Sequence, residues 1–146
     1  MAEQTQYLRI ELQGRNYLLP SVTGYAIEPR EALALHPSPG SPVVAWKNAR
    51  NGRFAAYALD AELQPARNDN WQRVVFLEGG SKGVGIACDE VQLLPRSQTQ
   101  VSPFTPPGGS TLQSGQLFVG AWLVGESVVL VLDPRRLIQY LQSLGE

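Results

Sequence analysis

WQRVVFLEGGSKGVGIACDEV, residues Trp71–Val91, is an apolar run rich in Val and Phe, a glycine-containing reversal, and a second apolar run that stops at Asp89-Glu90. Gly79-Gly80 suits the positive φ angles of a tight turn. The pattern predicts a β-hairpin with a buried return strand, Val84 to Cys88. Within it only Asp89 and Glu90 carry side chains suited to chemistry, and both sit at a strand end. Such a segment is scaffold, and it points to a binding module before an enzyme.

The same punctuation recurs on both sides. Toward the N-terminus, Tyr7–Leu12 alternates, Gln13-Gly14-Arg15-Asn16 turns, and Tyr17–Leu19 begins a return strand. Val22–Ile27 reads as a further extended piece weakened by Gly24, and Arg30–Leu35 as at most one helical turn. Val43–Trp46 and Phe54–Leu59 form another strand pair around Asn51-Gly52, a strong hairpin signal. Gln64–Asn70 is polar, contains Pro65 and reads as a linker between halves. Toward the C-terminus, Val91–Leu94 is a strand closed by Pro95, and Gln98–Gln116, with Pro103, Pro106 and Pro107, reads as a long irregular loop. Phe118–Leu123 and Ser127–Leu132 make a last hairpin through Val124-Gly125-Glu126. Asp133 can cap a helix whose first turn holds Pro134, whose apolar face is Leu137, Ile138, Leu141 and Leu144, and which stops at Gly145. About five short strands in each half, without alternating helices, favour small closed barrels.

Composition narrows the function classes. The chain has 146 residues, 43% hydrophobic and 17% charged, with a formal net charge of -1, so it is an ordinary globular chain without bulk attraction to phosphate backbones. The single cysteine, Cys88, excludes an internal disulfide and the usual structural zinc sites, and it reads as a small hydrophobe. The N-terminus lacks the pattern of a signal peptide, and no apolar run approaches the ~20 residues of a membrane helix, which predicts a cytoplasmic protein.

Candidate chemistry is sparse. His36, the one histidine, has no flanking motif and reads as a surface or packing residue. Asp60, Asp89, Glu90 and Asp133 each follow an apolar strand, where end and cap roles account for them. Gly79, Gly80, Gly83 and Gly85 open no helix and precede no Gly-Lys-Ser/Thr, so a phosphate loop is excluded. Trp46, Trp71 and Trp122 lack the basic groove of a nucleic-acid platform and read as core or interface residues. The expectation is no catalytic residue, no metal and no cofactor. PSPGSP and SPFTPPGG fit partner-binding loops and plain connections equally well.

The chain resembles the CheW family of chemosensory coupling proteins. Gly85, Ile86, Ala87, Cys88, Asp89 and Val91 match its G-hydrophobic-hydrophobic-V-D-x-V strand, and Gly120, Asp133 and Leu137 match its late hairpin and helix start. YLRIELQGRNYLLP is similar to its opening hairpin, and Pro39, Gly40, Ser41 and Pro42 to its Pro-Gly-Ala-Pro loop. AWKNARNGRFAA stands for the family's G-x-x-N-L-R-G-x-x-x-P: Asn48 and Arg50 fit and Gly52 nearly so, while the Pro and the glycine before Asn are absent. Gly24-Tyr25-Ala26 replaces an acidic residue common in the third strand. These departures resemble members that serve type IV pilus, twitching or other alternative chemosensory systems.

The resemblance implies a mainly β fold: two small five-stranded SH3-like β-barrel subdomains packed together, over about 7–63 and 71–132, with a short C-terminal helix over 134–144. It implies a non-enzymatic cytoplasmic adaptor that bridges the cytoplasmic tip of a methyl-accepting chemoreceptor to the regulatory domain of a CheA-type histidine kinase, without nucleic acid or membrane insertion. Val22, Tyr25, Ile27, Asn48 and Arg50 are then the receptor-binding residues, and Gly79, Gly80, Lys82 and Glu90 the kinase-binding ones. The alternative is a CheW-fold domain diverted to another partner, such as a pilus or c-di-GMP-linked regulator.

Overall fold

The computed structural model describes residues 7–21, 24–37, 40–49, 52–68, 70–77, 83–103 and 117–145. Among them the chain forms β1 (Tyr7–Leu12), β2 (Arg15–Pro20), β3 (Tyr25–Pro29), β4 (Ala34–Leu35), β5 (Val43–Ala49), β6 (Gly52–Ala58), β7 (Arg73–Leu77), β8 (Val84–Cys88), β9 (Glu90–Leu94), β10 (Val101–Pro103), β11 (Phe118–Val124), β12 (Ser127–Leu132) and α1 (Pro134–Leu144). Arg30–Ala32 makes a single 3-10 turn, in keeping with the shortness of that helical signal.

The strands lie in two six-stranded sheets, ordered β9-β1-β2-β12-β11-β10 and β3-β7-β8-β6-β5-β4. Each has five strands of ordinary length and one stub, β10 or β4. The two orders are the same pattern written twice, each with a hairpin set inside it. The β1–β2 hairpin lies between β9 and β12, and the β7–β8 hairpin between β3 and β6. Each sheet thus takes its inserted hairpin from the other side of residues 64–70. Each insertion creates one parallel joint, β12 with β2 and β6 with β8, while the other pairings are antiparallel.

The hairpin expectations from Tyr7, Val43, Trp71 and Phe118 all correspond to antiparallel pairs. Gln13 (φ 49) and Gly14 (φ 90) make the first turn in left-handed backbone, which glycine adopts at no steric cost. The long loop expected from Gln98 is broken by β10, which pairs Val101 with Trp122 and Pro103 with Gly120; Pro103 is tolerated because this strand is a sheet edge.

Two apolar cores result. The larger fills the space between the sheets: Leu8, Ile10, Leu12, Tyr17 and Leu19 from one, Tyr57, Val75, Leu77, Val84, Ile86 and Cys88 from the other, and Leu137, Ile138 and Leu141 from α1. The smaller lies inside the curl of the β3–β4 sheet, where Val44, Ala56, Ala58, Trp71, Val74, Phe76 and Ala87 meet. The alternating strands therefore bury both faces of that sheet, which explains why β8 is apolar at every position.

The segment after β6 belongs to the structure rather than to a free connection. Leu63 is fully buried at φ 65, an uncommon conformation for a branched residue. Asp60 holds the turn, its carboxylate accepting from the amides of Glu62 (2.8 Å) and Gln64 (3.0 Å). Tyr17 Oη donates to the carbonyl of Ala61 (2.5 Å) and Tyr140 Oη to that of Leu63 (2.7 Å), so the turn is tied to both the first sheet and the helix. At the C-terminus the Asp133 carboxylate accepts from Arg135 N at 3.0 Å and Gly145 closes the helix, as the sequence predicts.

Candidate functional site

Strand register places the candidate residues. Tyr25, Leu77, Val84, Ala55 and Trp46 form one row across β3, β7, β8, β6 and β5, and Ile27, Val75, Ile86, Tyr57 and Val43 form the next. Both rows face the larger core. Their middle members are buried, while Tyr25, Ile27 and Trp46 are half-buried at the ends. Tyr25 and Ile27 therefore form an apolar rim where the shared core meets solvent, on the edge strand β3.

The opposite face of β3 fixes this rim. Glu28 reaches across the curl of the sheet to Lys47 on β5, at 2.8 Å, and the Lys47 ammonium lies 5.5 Å from the centroid of the Phe76 ring. A half-exposed ion pair of this kind contributes under about 1 kcal/mol. Its consequence is geometric: it draws the two ends of the sheet together over Phe76.

Asn48 is exposed two residues beyond Trp46 on the same face as the rim, but it lies at the other end of the row. Three strands separate β3 from β5 along the sheet, but the curl closes that gap at the Glu28–Lys47 pair, next in sequence to Ile27 and Asn48. Beside Asn48, the Arg53 guanidinium stacks 4.1 Å above the Trp46 ring, and the His36 ring lies 4.5 Å from the same indole. His36 thus acts as a packing residue. Val22 and Arg50 lie outside the described residues.

Of the four residues assigned to a kinase, Gly79, Gly80 and Lys82 lie outside the described residues. Glu90 is exposed at the start of β9, directly opposite Glu11 of β1. Asp89 beside it accepts from Gln13 N at 2.9 Å, so the three carboxylates make an acidic corner at this sheet edge. The other end of the same sheet carries a surface that the sequence reading missed. In the β11–β12 hairpin Leu123 is 66% exposed and its cross-strand partner Val128 59%, with Val124 beside them at 42%. The signal was present in SVVLVL, a strand apolar at every position but the first: its burial falls from Val131 and Leu132 to the exposed Val128, so apolar side chains run past the core at the hairpin tip.

The carboxylates and the thiol have structural tasks. Asp60 and Asp133 hold a turn and a helix cap, and Cys88 is buried, its thiol pushed well above the ordinary range first by loss of water and then by nearby Asp89. Among the described residues, no group of three His, Cys, Asp or Glu side chains converges as metal ligands would. No helix of the described residues is long and apolar enough to cross a membrane.

The fold agrees with a solved relative. The crystal structure of the scaffolding protein TtCheW from Thermoanaerobacter tengcongensis superposes with a TM-score of 0.63 at 15% sequence identity, covering 90% of each chain. No curated protein matches the chain in sequence. The family model of the CheW-like domain matches residues 6–142, nearly the whole chain. By that match, together with the two-sheet architecture and its C-terminal helix, the chain belongs to the CheW-like domain family.

Proposed function

We propose that this protein is a non-enzymatic, cytoplasmic coupling adaptor that holds the cytoplasmic tip of a chemoreceptor against the regulatory domain of a CheA-type histidine kinase, in a chemotaxis or type IV pilus chemosensory pathway. The observation that carries this reading is the presence of two separate apolar surfaces on one closely packed body. One is the Tyr25–Ile27 rim on the shared core; the other is the exposed Leu123–Val128 hairpin at the far side of the other sheet. A helical hairpin laying apolar side chains along an edge strand suits the rim. Val22, Asn48 and Arg50 add flanking contacts there, with Arg50 supplying the polar one. The kinase is assigned to the other sheet, through Glu90 and the Leu123–Val128 hairpin, and to the β7–β8 reversal with Gly79, Gly80 and Lys82.

Co-purification with the two partners tests the assignment. Tyr25→Asp is expected to abolish capture of the receptor tip and spare the kinase domain, while Val128→Asp does the reverse; Arg50→Glu weakens the receptor alone. If the wild-type chain captures neither a receptor tip nor a CheA-type regulatory domain, the adaptor reading falls and a diverted partner replaces it.

A further inference from the structure

The curl of the β3–β4 sheet is closed on one side by side chains alone. β3 is an edge strand bonded only to β7, and β5 is bonded to β6 and to the two-residue β4. Among the described residues no ladder joins β3 to β5. The Glu28 carboxylate and the Lys47 ammonium, 2.8 Å apart, cross that seam.

Lys47 is seated for this task. It stands directly opposite Phe54 on β6, and the Phe54 and Phe76 ring centroids lie 6.4 Å apart. The ammonium is 5.5 Å from the centroid of Phe76, which is buried and gives the pair a fixed floor. Alternation along the strands then decides what the pair positions. Glu28 and Lys47 lie on the face that holds the smaller core, opposite Val74 and Phe54. Ile27, one residue before Glu28, and Asn48, one residue after Lys47, lie on the other face, on the two banks of the seam. A partner laid along the β3 edge on that face spans both banks and touches neither charge.

We propose that Glu28 and Lys47 are positioning residues for receptor docking: their pair sets the width of the β3–β5 seam, and that width makes Tyr25, Ile27 and Asn48 one continuous surface. The inference deepens the receptor assignment proposed above and rests on it. It adds a requirement that contact residues alone do not impose, since affinity depends on a bond between two charges beneath the docked surface. A half-exposed pair is weak, so loss of one charge changes the equilibrium by about two- to fivefold.

Two measurements on the full chain test this. The first is amide hydrogen exchange in the free protein, read residue by residue by NMR. In Glu28→Gln the β3 amides bonded to β7 are expected to exchange about two- to fivefold faster while those of β8 keep their rates, the mark of local opening. The second is the dissociation constant for a soluble cytoplasmic-tip fragment of a chemoreceptor, with a CheA-type regulatory domain as control partner. Glu28→Gln weakens the tip by the same factor and leaves the kinase domain unchanged. Lys47→Glu, which sets two carboxylates face to face, weakens the tip more, and adding Glu28→Lys to it recovers most of the lost affinity. Recovery by the exchanged pair separates positioning from contact, because a receptor group touching either residue would meet the wrong charge.

Unchanged β3 exchange in Glu28→Gln, or unchanged tip affinity in both single variants, overturns the proposal and leaves the adaptor reading standing. Equal weakening of both partners, or no recovery in the exchanged pair, does the same. A wild-type chain that binds no receptor tip overturns the adaptor reading and the docking role with it. Should Lys47→Glu fail to fold, Glu28→Gln carries the comparison between the two partners.

Discussion

Gly85 is the position at which the smallest change should disturb the fold most. It faces Phe76 across the β7–β8 ladder. A Cβ placed on it would stand 2.6 Å from Val74 Cγ1 and 2.7 and 2.8 Å from two carbons of the Phe76 ring. Carbon atoms pack best at about 3.5–4.0 Å, so each contact is short by about an ångström. Neither neighbour can retreat easily: Val74 is 0% exposed and Phe76 3%, and the ring is flanked by Phe54 and capped by Lys47. Overpacking costs about 1–3 kcal/mol, and three such contacts place Gly85→Ala near the upper end. Lost backbone freedom in the unfolded chain returns roughly 0.5–1 kcal/mol, leaving a net destabilisation of about 2 kcal/mol. At about 2–4 °C per kcal/mol for a chain of this size, Tm falls by about 4–8 °C. Urea denaturation followed by circular dichroism measures the loss. Adding Phe76→Leu should show a coupling of at least about 1 kcal/mol in a double-mutant cycle, because the smaller side chain vacates the space the methyl needs. Gly85→Ala within about 0.5 kcal/mol of wild type, or the absence of coupling, would refute the packing argument.

Tyr140→Phe removes the donor to the buried Leu63 carbonyl and should cost about 1–3 kcal/mol in urea denaturation. Asp133→Ala should lose about 1 kcal/mol by the same measurement while Asp133→Asn, which also caps, retains most of it. Burial raises the Cys88 thiol above its ordinary 9.0 and the Tyr17 and Tyr140 phenols above 10.0. The folded state thus favours their protonated forms: their contribution is whole below pH 9 and declines as pH rises beyond it, with the onset moving up to about 10 in Cys88→Ala, as thermal melts across alkaline buffers will show. Fragments split between Asn68 and Asn70 should co-purify when co-expressed, since each sheet takes strands from both; failure to associate would contradict the topology.

Local structure was legible wherever the signal was local. Four hairpins announced themselves because turn residues sit between apolar runs, and α1 because Asp133, Pro134 and Gly145 mark its ends. The joints between β12 and β2, β6 and β8, and β1 and β9 were not legible, because pairing between distant segments leaves no periodic trace. Gln64–Asn70 looked like a linker on its polarity, yet the turn before it is held by Tyr17 and Tyr140, hydroxyls 44 and 77 residues away. Tyr25 and Ile27 were found through family position; their half-burial on the shared core could only come from the register.

The joint between the two sheets bears directly on what an adaptor must do. Every strand ladder lies within one sheet, so the sheets are held to each other by the larger core and by the chain that crosses between them. The crossing from β8 to β9 is Asp89 alone; its amide donates to the Glu11 carbonyl at 2.8 Å and its carboxylate accepts from Gln13 N at 2.9 Å, which leaves that crossing no slack. Rotating one sheet on the other would strip apolar surface from the shared core and strain these bonds, each worth about 0.5–1.5 kcal/mol. The Tyr25–Ile27 rim and the Leu123–Val128 hairpin are therefore parts of one packed body, and on the proposed reading partners seated on them would feel each other's displacement through its core.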